Sequence, residues 1–175
     1  IWQSANQMRS KIEANEYKDY ILGFMFYKYL SDREVSFLKG EKYSDDDIKK
    51  VTADDEKLMK HISENIGYFI AYEDLFSTWL SKGDDFDVSD VRDALSNFDT
   101  NIEPTYKKLF ENIFKTLQSG LSKLGETSTK QTKSIKALLK LIKRIPMDGK
   151  QDYDVLGFIY EYLIKAGSVS GKQLC

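Results

Sequence analysis

Between Glu16 and Leu38, apolar side chains fall on nearly every side of a helix. Tyr17, Tyr20, Ile21, Phe24, Tyr27 and Leu30 share one face, while Met25, Phe26 and Tyr29 lie around it. A helix apolar all round has no face to leave in water, so other elements must pack on it from several directions. That requirement sets the fold class: a mainly α chain, a helical bundle around a central helix. Tyr20 to Leu30, interrupted by Lys28, is too short for a bilayer, which needs about 20 apolar residues. It reads as a core helix rather than a membrane anchor, and no secretory leader precedes it. Gly23 costs this helix roughly 1 kcal/mol relative to Ala, and a close helix crossing at that point would explain it.

The other elements bring the expected bundle to about six to eight helices, with one short strand or hairpin as an option. Trp2, Ala5, Met8 and Ile12 recur at helical spacing, and Asn15 suits an N-cap for the central helix. Residues 40–56 are acidic (Glu41, Asp45, Asp46, Asp47, Asp54, Asp55, Glu56) and read as a solvated loop without calcium-loop spacing. Helical pattern resumes from Asp55 to Ile66. Gly67 to Tyr72 is either a short strand or an extended link. One or two helical turns follow from Asp74 to Leu80, with Leu75, Phe76, Trp79 and Leu80 inward, and then a turn at Gly83-Asp84-Asp85. Further helices are expected at about 88–98, 104–119, 132–145 and 153–165. Pro104 suits a first helical turn, and Pro146 ends the helix before it. Residues 120–132, rich in Ser, Thr and Gly, read as a mobile loop.

Eleven Tyr, ten Phe and two Trp are too many aromatics for a disordered chain. A net charge of −2 argues against a free-standing nucleic-acid binder driven by bulk charge. The single cysteine, Cys175, allows no intrachain disulfide, which fits a reducing compartment. One histidine, His61, excludes a two-histidine zinc motif, and its place mid-helix among charged residues suits surface or packing duty. No G-x-S-x-G elbow and no dinucleotide fingerprint occur. Gly149-Lys150 and Gly171-Lys172 are both followed by Gln, so neither makes a P-loop. Catalytic, cofactor-binding and metal-binding residues are therefore not assigned.

One segment carries a charge signal. Lys130, Lys133, Lys136, Lys140, Lys143 and Arg144 occur with no acidic residue between them and share one face of a helix. Ile135, Leu138, Leu139, Leu141, Ile142 and Ile145 share the other. These six cations are the candidate DNA-contacting residues, because a cationic stripe on a chain of net −2 suits phosphates. The alternative is a solvated face or one that meets an acidic partner. No aromatics interleave the stripe, which argues against single-strand binding, and the apolar face is needed for a core rather than a membrane.

Two blocks, Trp2-Gln-Ser-Ala-Asn-Gln-Met-Arg9 with Glu16-Tyr-Lys-Asp-Tyr-Ile-Leu-Gly-Phe-Met-Phe-Tyr-Lys-Tyr-Leu-Ser-Asp32, and Tyr153-Asp-Val-Leu-Gly-Phe-Ile-Tyr-Glu-Tyr-Leu163, carry a resemblance. They resemble the start and end of the N-terminal helical domain of type I restriction-modification methyltransferase (modification) subunits. Tyr68-Phe-Ile-Ala-Tyr-Glu-Asp-Leu75 and Ile145-Pro-Met-Asp-Gly149 are similar too. The likeness spans roughly residues 1–165, and 166–175 read as a linker or truncated tail. Beginning at Ile1 rather than Met, the chain reads as a piece of a longer protein.

The resemblance implies that a downstream domain of the parent binds S-adenosylmethionine and methylates adenine N6 through an Asn-Pro-Pro-Phe motif. That motif is missing here, since Pro104 and Pro146 are not adjacent. It further implies double-stranded DNA, a specificity subunit, a second modification subunit and a restriction subunit as partners, in the cytoplasm. The leading expectation is a DNA-clamping and subunit-assembly domain. The alternative is a protein-interaction module that binds the specificity or restriction subunit without touching DNA, and a self-contained enzyme is disfavoured by the motif search.

Overall fold

The computed structural model describes residues 14–144, 157 and 159–161. Its helices are α1 (Ala14–Gly40), α2 (Asp45–Ile48), α3 (Glu56–Ile66), α4 (Phe76–Ser81), α5 (Val88–Thr100), α6 (Lys107–Phe110), α7 (Lys115–Gly120) and α8 (Ser128–Lys143). Short 3₁₀ turns intervene at Tyr72–Asp74, Gly83–Asp85, Pro104–Tyr106 and Leu121–Leu124. No strand occurs among the described residues, so the fold is all-α there. No described helix is long and apolar enough to cross a membrane.

The chain divides into two compact units. One is continuous, Lys28–Glu111; the other joins Ile1–Tyr27 to Asn112–Cys175. Helix α1 runs across the division, Ala14–Tyr27 belonging to one unit and Lys28–Gly40 to the other. No residue from Tyr20 to Ser31 is exposed.

In the continuous unit, α1 buries Leu30, Ser31, Glu34 and Leu38. The segment after α3 is the extended link of the two options, not a strand. Gly67 ends α3 at φ 96°, a left-handed value that suits glycine. A Cβ there would lie 2.8 Å from the Tyr106 ring. The link's polar groups bond to side chains and loops rather than to a neighbouring strand. The Ile70 amide donates to Glu34 Oε1 at 2.7 Å, and the Tyr68 hydroxyl donates to the Leu30 carbonyl at 2.7 Å. The Tyr72 amide donates to the Val51 carbonyl at 2.9 Å. Tyr68, Phe98 and Phe110 form an aromatic cluster with ring centroids 5.4 to 6.2 Å apart. Trp79 packs between Phe76 and Phe86. Leu75, Phe76 and Trp79 point inward as expected, whereas Leu80 is only half-buried.

In the discontinuous unit, Gly23 meets Leu117 of α7. A Cβ at Gly23 would lie 3.3 Å from Leu117 Cδ2, so the predicted close crossing is there. The Tyr20 hydroxyl donates to the Gly120 carbonyl at 3.1 Å. Tyr27 meets Phe114 edge-on at 5.4 Å, and Phe26 lies 5.9 Å from the ring of Tyr160. The apolar face of α8, Ile135, Leu138, Leu139 and Ile142, is at most 2% exposed.

Four expectations need correction. The acidic 40–56 segment is not all loop: Ser44 and Asp47 form a reciprocal capping box that starts α2. The helix expected over 104–119 breaks at Glu111 to Phe114. Asn112 adopts φ 62°, a conformation asparagine tolerates, and the break lets Phe110, Ile113 and Phe114 all be buried. Residues 120–132 are folded rather than a mobile loop. Leu121 and Leu124, three apart in a 3₁₀ turn, are both buried, and the Thr127 hydroxyl caps α8. Asn15 lies inside α1, not at its N-cap, because the helical run begins before it. The expected first helix, the Pro146 stop and most of 153–165 lie outside the described residues.

Candidate nucleic-acid interface

Helix α8 positions the cationic stripe. Its apolar residues recur at i, i+3, i+4 and i+7, and burying them turns the intervening cations outward. The six predicted cations fall within an arc of about 140° around the helix axis. Lys130, Lys133, Lys140, Lys143 and Arg144 are exposed, and Lys136 is half-buried. The helix brings all six to one face, as the spacing predicts.

They are not equivalent. Lys130 stands in the first turn of α8, where the helix dipole disfavours a cation. Glu126 lies 3.4 Å from its Nζ and offsets that cost. Lys133, Lys140, Lys143 and Arg144 have no ion-pair partner among the described residues. Lys140 and Lys143 sit in the last turn, where the dipole favours positive charge.

Two neutral polar residues of the helix, Gln131 and Ser134, behave differently. Gln131 is buried, and its side-chain amide donates to the Gly125 carbonyl at 3.1 Å and the Ser122 carbonyl at 3.4 Å. The Ser134 hydroxyl donates to the Leu124 carbonyl at 2.9 Å. These bonds hold the Leu121–Leu124 turn against the helix. The sequence reading missed Gln131; its signal was its place on the apolar side of the wheel, one turn before Ile135.

Charge is strongly segregated along the chain. Between Asn112 and Arg144 eight Lys and Arg stand against a single acidic residue, Glu126. Between Lys28 and Glu111 twenty acidic residues outnumber twelve Lys and Arg. The overall charge of −2 hides this opposition.

The acidic unit holds two unusual carboxyls. Glu34 is fully buried; burial pushes its pKa up to about 8, partly offset by the Ile70 amide. Its Oε2 has no hydrogen-bond partner. Asp74 lines a cleft of about 350 Å³ with Glu73, Lys82, Asp90, Asp93, Ser96 and Asn97. Burial raises its pKa to about 6, while the Asn97 amide, 3.0 Å away, opposes the rise. The His61 ring lies 2.7 Å from a Glu41 oxygen and 5.8 Å from the Phe37 ring, a surface packing role. No group of three His, Cys, Asp or Glu suited to a metal occurs among the described residues. The glycines at positive φ among the described residues are Gly67 and Gly83, and no described strand leads to either. A glycine-rich turn after a strand, the feature that cradles a nucleoside cofactor such as S-adenosylmethionine, does not occur among the described residues.

The HsdM N-terminal domain family matches residues 1–142 of this chain. The type I restriction enzyme MpnII methylase subunit of Mycoplasma pneumoniae is 26% identical over 180 residues, covering 94% of this chain and 33% of that protein. A solved structure of the type I restriction-modification system methyltransferase subunit from Streptococcus thermophilus is similar with a TM-score of 0.69 and 30% identity. It covers 95% of this chain and 37% of that one. The chain thus spans about a third of the length of these relatives. The matched span contains α1 through nearly all of α8, so the long apolar helix and the cationic helix are both parts of what the chain is: a member of the HsdM N-terminal domain family.

Proposed function

We propose that this chain is the DNA-clamping and subunit-assembly part of a type I modification methyltransferase. The observation that carries this reading is the outward row of Lys133, Lys140, Lys143 and Arg144 on α8, which have no ion-pair partner among the described residues. A base-modifying enzyme must hold its duplex while one nucleotide is extruded, and a cationic face supplies that hold through counterion release. The acidic continuous unit repels phosphate and leaves the duplex to α8. S-adenosylmethionine, and transfer of its methyl group to adenine N6, belong to the rest of such a protein. So do contacts with a specificity subunit, a second modification subunit and a restriction subunit, in the cytoplasm.

The test is charge reversal of Lys133, Lys140 and Lys143 to Glu in the assembled enzyme. Each lost phosphate contact lowers the slope of log affinity against log salt by about 0.9, so the triple variant loses about 3. An unchanged slope and affinity would favour an interaction module that binds a partner subunit without DNA.

A further inference from the structure

Three hydrogen bonds tie the link 67–75 and the first residue of α4 to one turn of α1. The Tyr68 hydroxyl donates to the Leu30 carbonyl at 2.7 Å, the Ile70 amide to Glu34 Oε1 at 2.7 Å, and the Phe76 amide to Ser31 Oγ at 3.2 Å. Leu30, Ser31 and Glu34 stand at i, i+1 and i+4, so α1 offers a carbonyl, a hydroxyl and a carboxyl side by side. Two further bonds hold the link's flanks: the Tyr72 amide donates to the Val51 carbonyl at 2.9 Å and the Glu103 amide to the Gly67 carbonyl at 3.0 Å. Residues 68–71 have no ladder of their own, unlike the helices on either side. The link therefore depends on these bonds and on the burial of Tyr68, Phe69 and Ile70.

Of the three acceptors on α1, Glu34 alone can change charge. It is fully buried, and its Oε2 has no hydrogen-bond partner among the described residues. A neutral acid tolerates such a place, whereas a carboxylate with one amide and no water does not. Burial accordingly pushes its pKa up to about 8. Once ionised, Glu34 favours any state in which it reaches water. Parting of the link from this turn provides one and leaves the ladders of α1, α3 and α4 intact.

We infer that Glu34 and the link 67–75 form a proton-sensitive latch: the protonated acid holds the link on α1, and its ionisation makes the link part from Leu30, Ser31 and Glu34 more often while the helices stay folded. The parted state exposes Tyr68, Phe69 and Ile70, so it is a brief excursion from the native fold. The Tyr68 phenol feels the Glu34 charge, and Arg33 and Tyr29 act on that phenol in turn. Phenols and guanidiniums lose their protons far above neutrality, so these groups do not compete with Glu34. Asp74, at the far end of the link, titrates near 6 and is almost fully ionised by pH 7.

The experiment follows amide exchange of the 175-residue chain at pH 6.5, 7.0 and 7.5, each rate divided by the intrinsic rate at that pH. With Glu34 titrating near 8 in place and near 4.5 when released, protection at Tyr68 to Tyr72 should fall roughly eightfold across this range. In Glu34→Gln it should change by less than about twofold, and Val91 to Phe98 in α5 should keep their protection in both proteins. Ser31→Ala removes a tie that cannot titrate, so it should lower protection of the link by the same factor at every pH. A flat profile in the parent, an equal fall throughout α5, or a fall that persists in Glu34→Gln overturns the inference. So does Ser31→Ala leaving exchange at 68–72 unaltered, a reading that stands even if the Gln variant fails to fold.

Discussion

Glu34→Gln tests the energetics of the continuous unit most directly. In the folded chain the Glu34 carboxyl titrates near 8, against an ordinary value of 4.5. Its folded pKa is raised, and it is an acid, so folding takes up a proton between those two values. Stability therefore falls as pH rises from 4.5 toward 8, by about 1.4 kcal/mol per pH unit. At pH 7 the accumulated cost is about 3 kcal/mol, and above pH 8 it levels off. Gln is a close mimic of the protonated acid: it keeps an oxygen for the Ile70 amide and places a donor where Oε2 has no partner. The two proteins should thus match within about 1 kcal/mol at pH 4.5 and separate steadily above it, the variant being the more stable. Urea unfolding of both at pH 5, 6, 7 and 8 gives the difference curve, in which all other titrating groups cancel. A difference that stays constant across this range would refute the reasoning, since Glu34 would then be ionised in the native state.

Gly67→Ala places a Cβ against the Tyr106 ring at a left-handed backbone angle, and should cost about 2 to 3 kcal/mol in denaturant midpoint experiments. Tyr20→Phe removes the hydroxyl bond to the Gly120 carbonyl without changing ring packing, and thermal unfolding should show a loss of about 1 kcal/mol. Gly120→Ala, by contrast, drives a methyl into the Tyr20 hydroxyl and should cost more than Tyr20→Phe. Gln131→Ala frees the Ser122 and Gly125 carbonyls; amide exchange should quicken in the Leu121–Leu124 turn while α1 keeps its protection.

Much of this fold was legible because burial imposes a period. The all-round apolar run of α1 called for neighbours on several sides, and Gly23 marked where one of them, α7, comes close. The two faces of α8 were separable residue by residue for the same reason. The misreadings arose where local chemistry competes with composition. Ser and Thr near residue 127 read as loop, yet Thr127 is a helix cap and Leu121 and Leu124 anchor a turn. The acidic 45–47 run read as solvated, yet Asp47 closes a capping box. Asn112 broke a periodic helix because a left-handed residue there lets three apolar side chains be buried, and no periodicity count registers that. Glu34 stands four residues beyond Leu30 on the inward row, so its burial was readable in principle; its pKa was not, because that depends on how completely the packed fold strips water from the carboxyl. The stripe was visible as charge. Which of its members are already engaged, and which carbonyls Gln131 meets, required coordinates.

The division of the chain also dictates an order of events during synthesis. The aromatic side of α1 that carries Tyr20, Phe24 and Tyr27 belongs to a unit completed only by residues after Glu111. At translation rates of roughly 5–20 residues per second, those rings wait about 4 to 20 seconds for Phe114 and Leu117 to emerge. The intervening acidic unit is contiguous and can close in that interval. A nascent chain stalled before Asn112 would therefore present a folded acidic body joined to a bare aromatic helix, which is the form most in need of a chaperone.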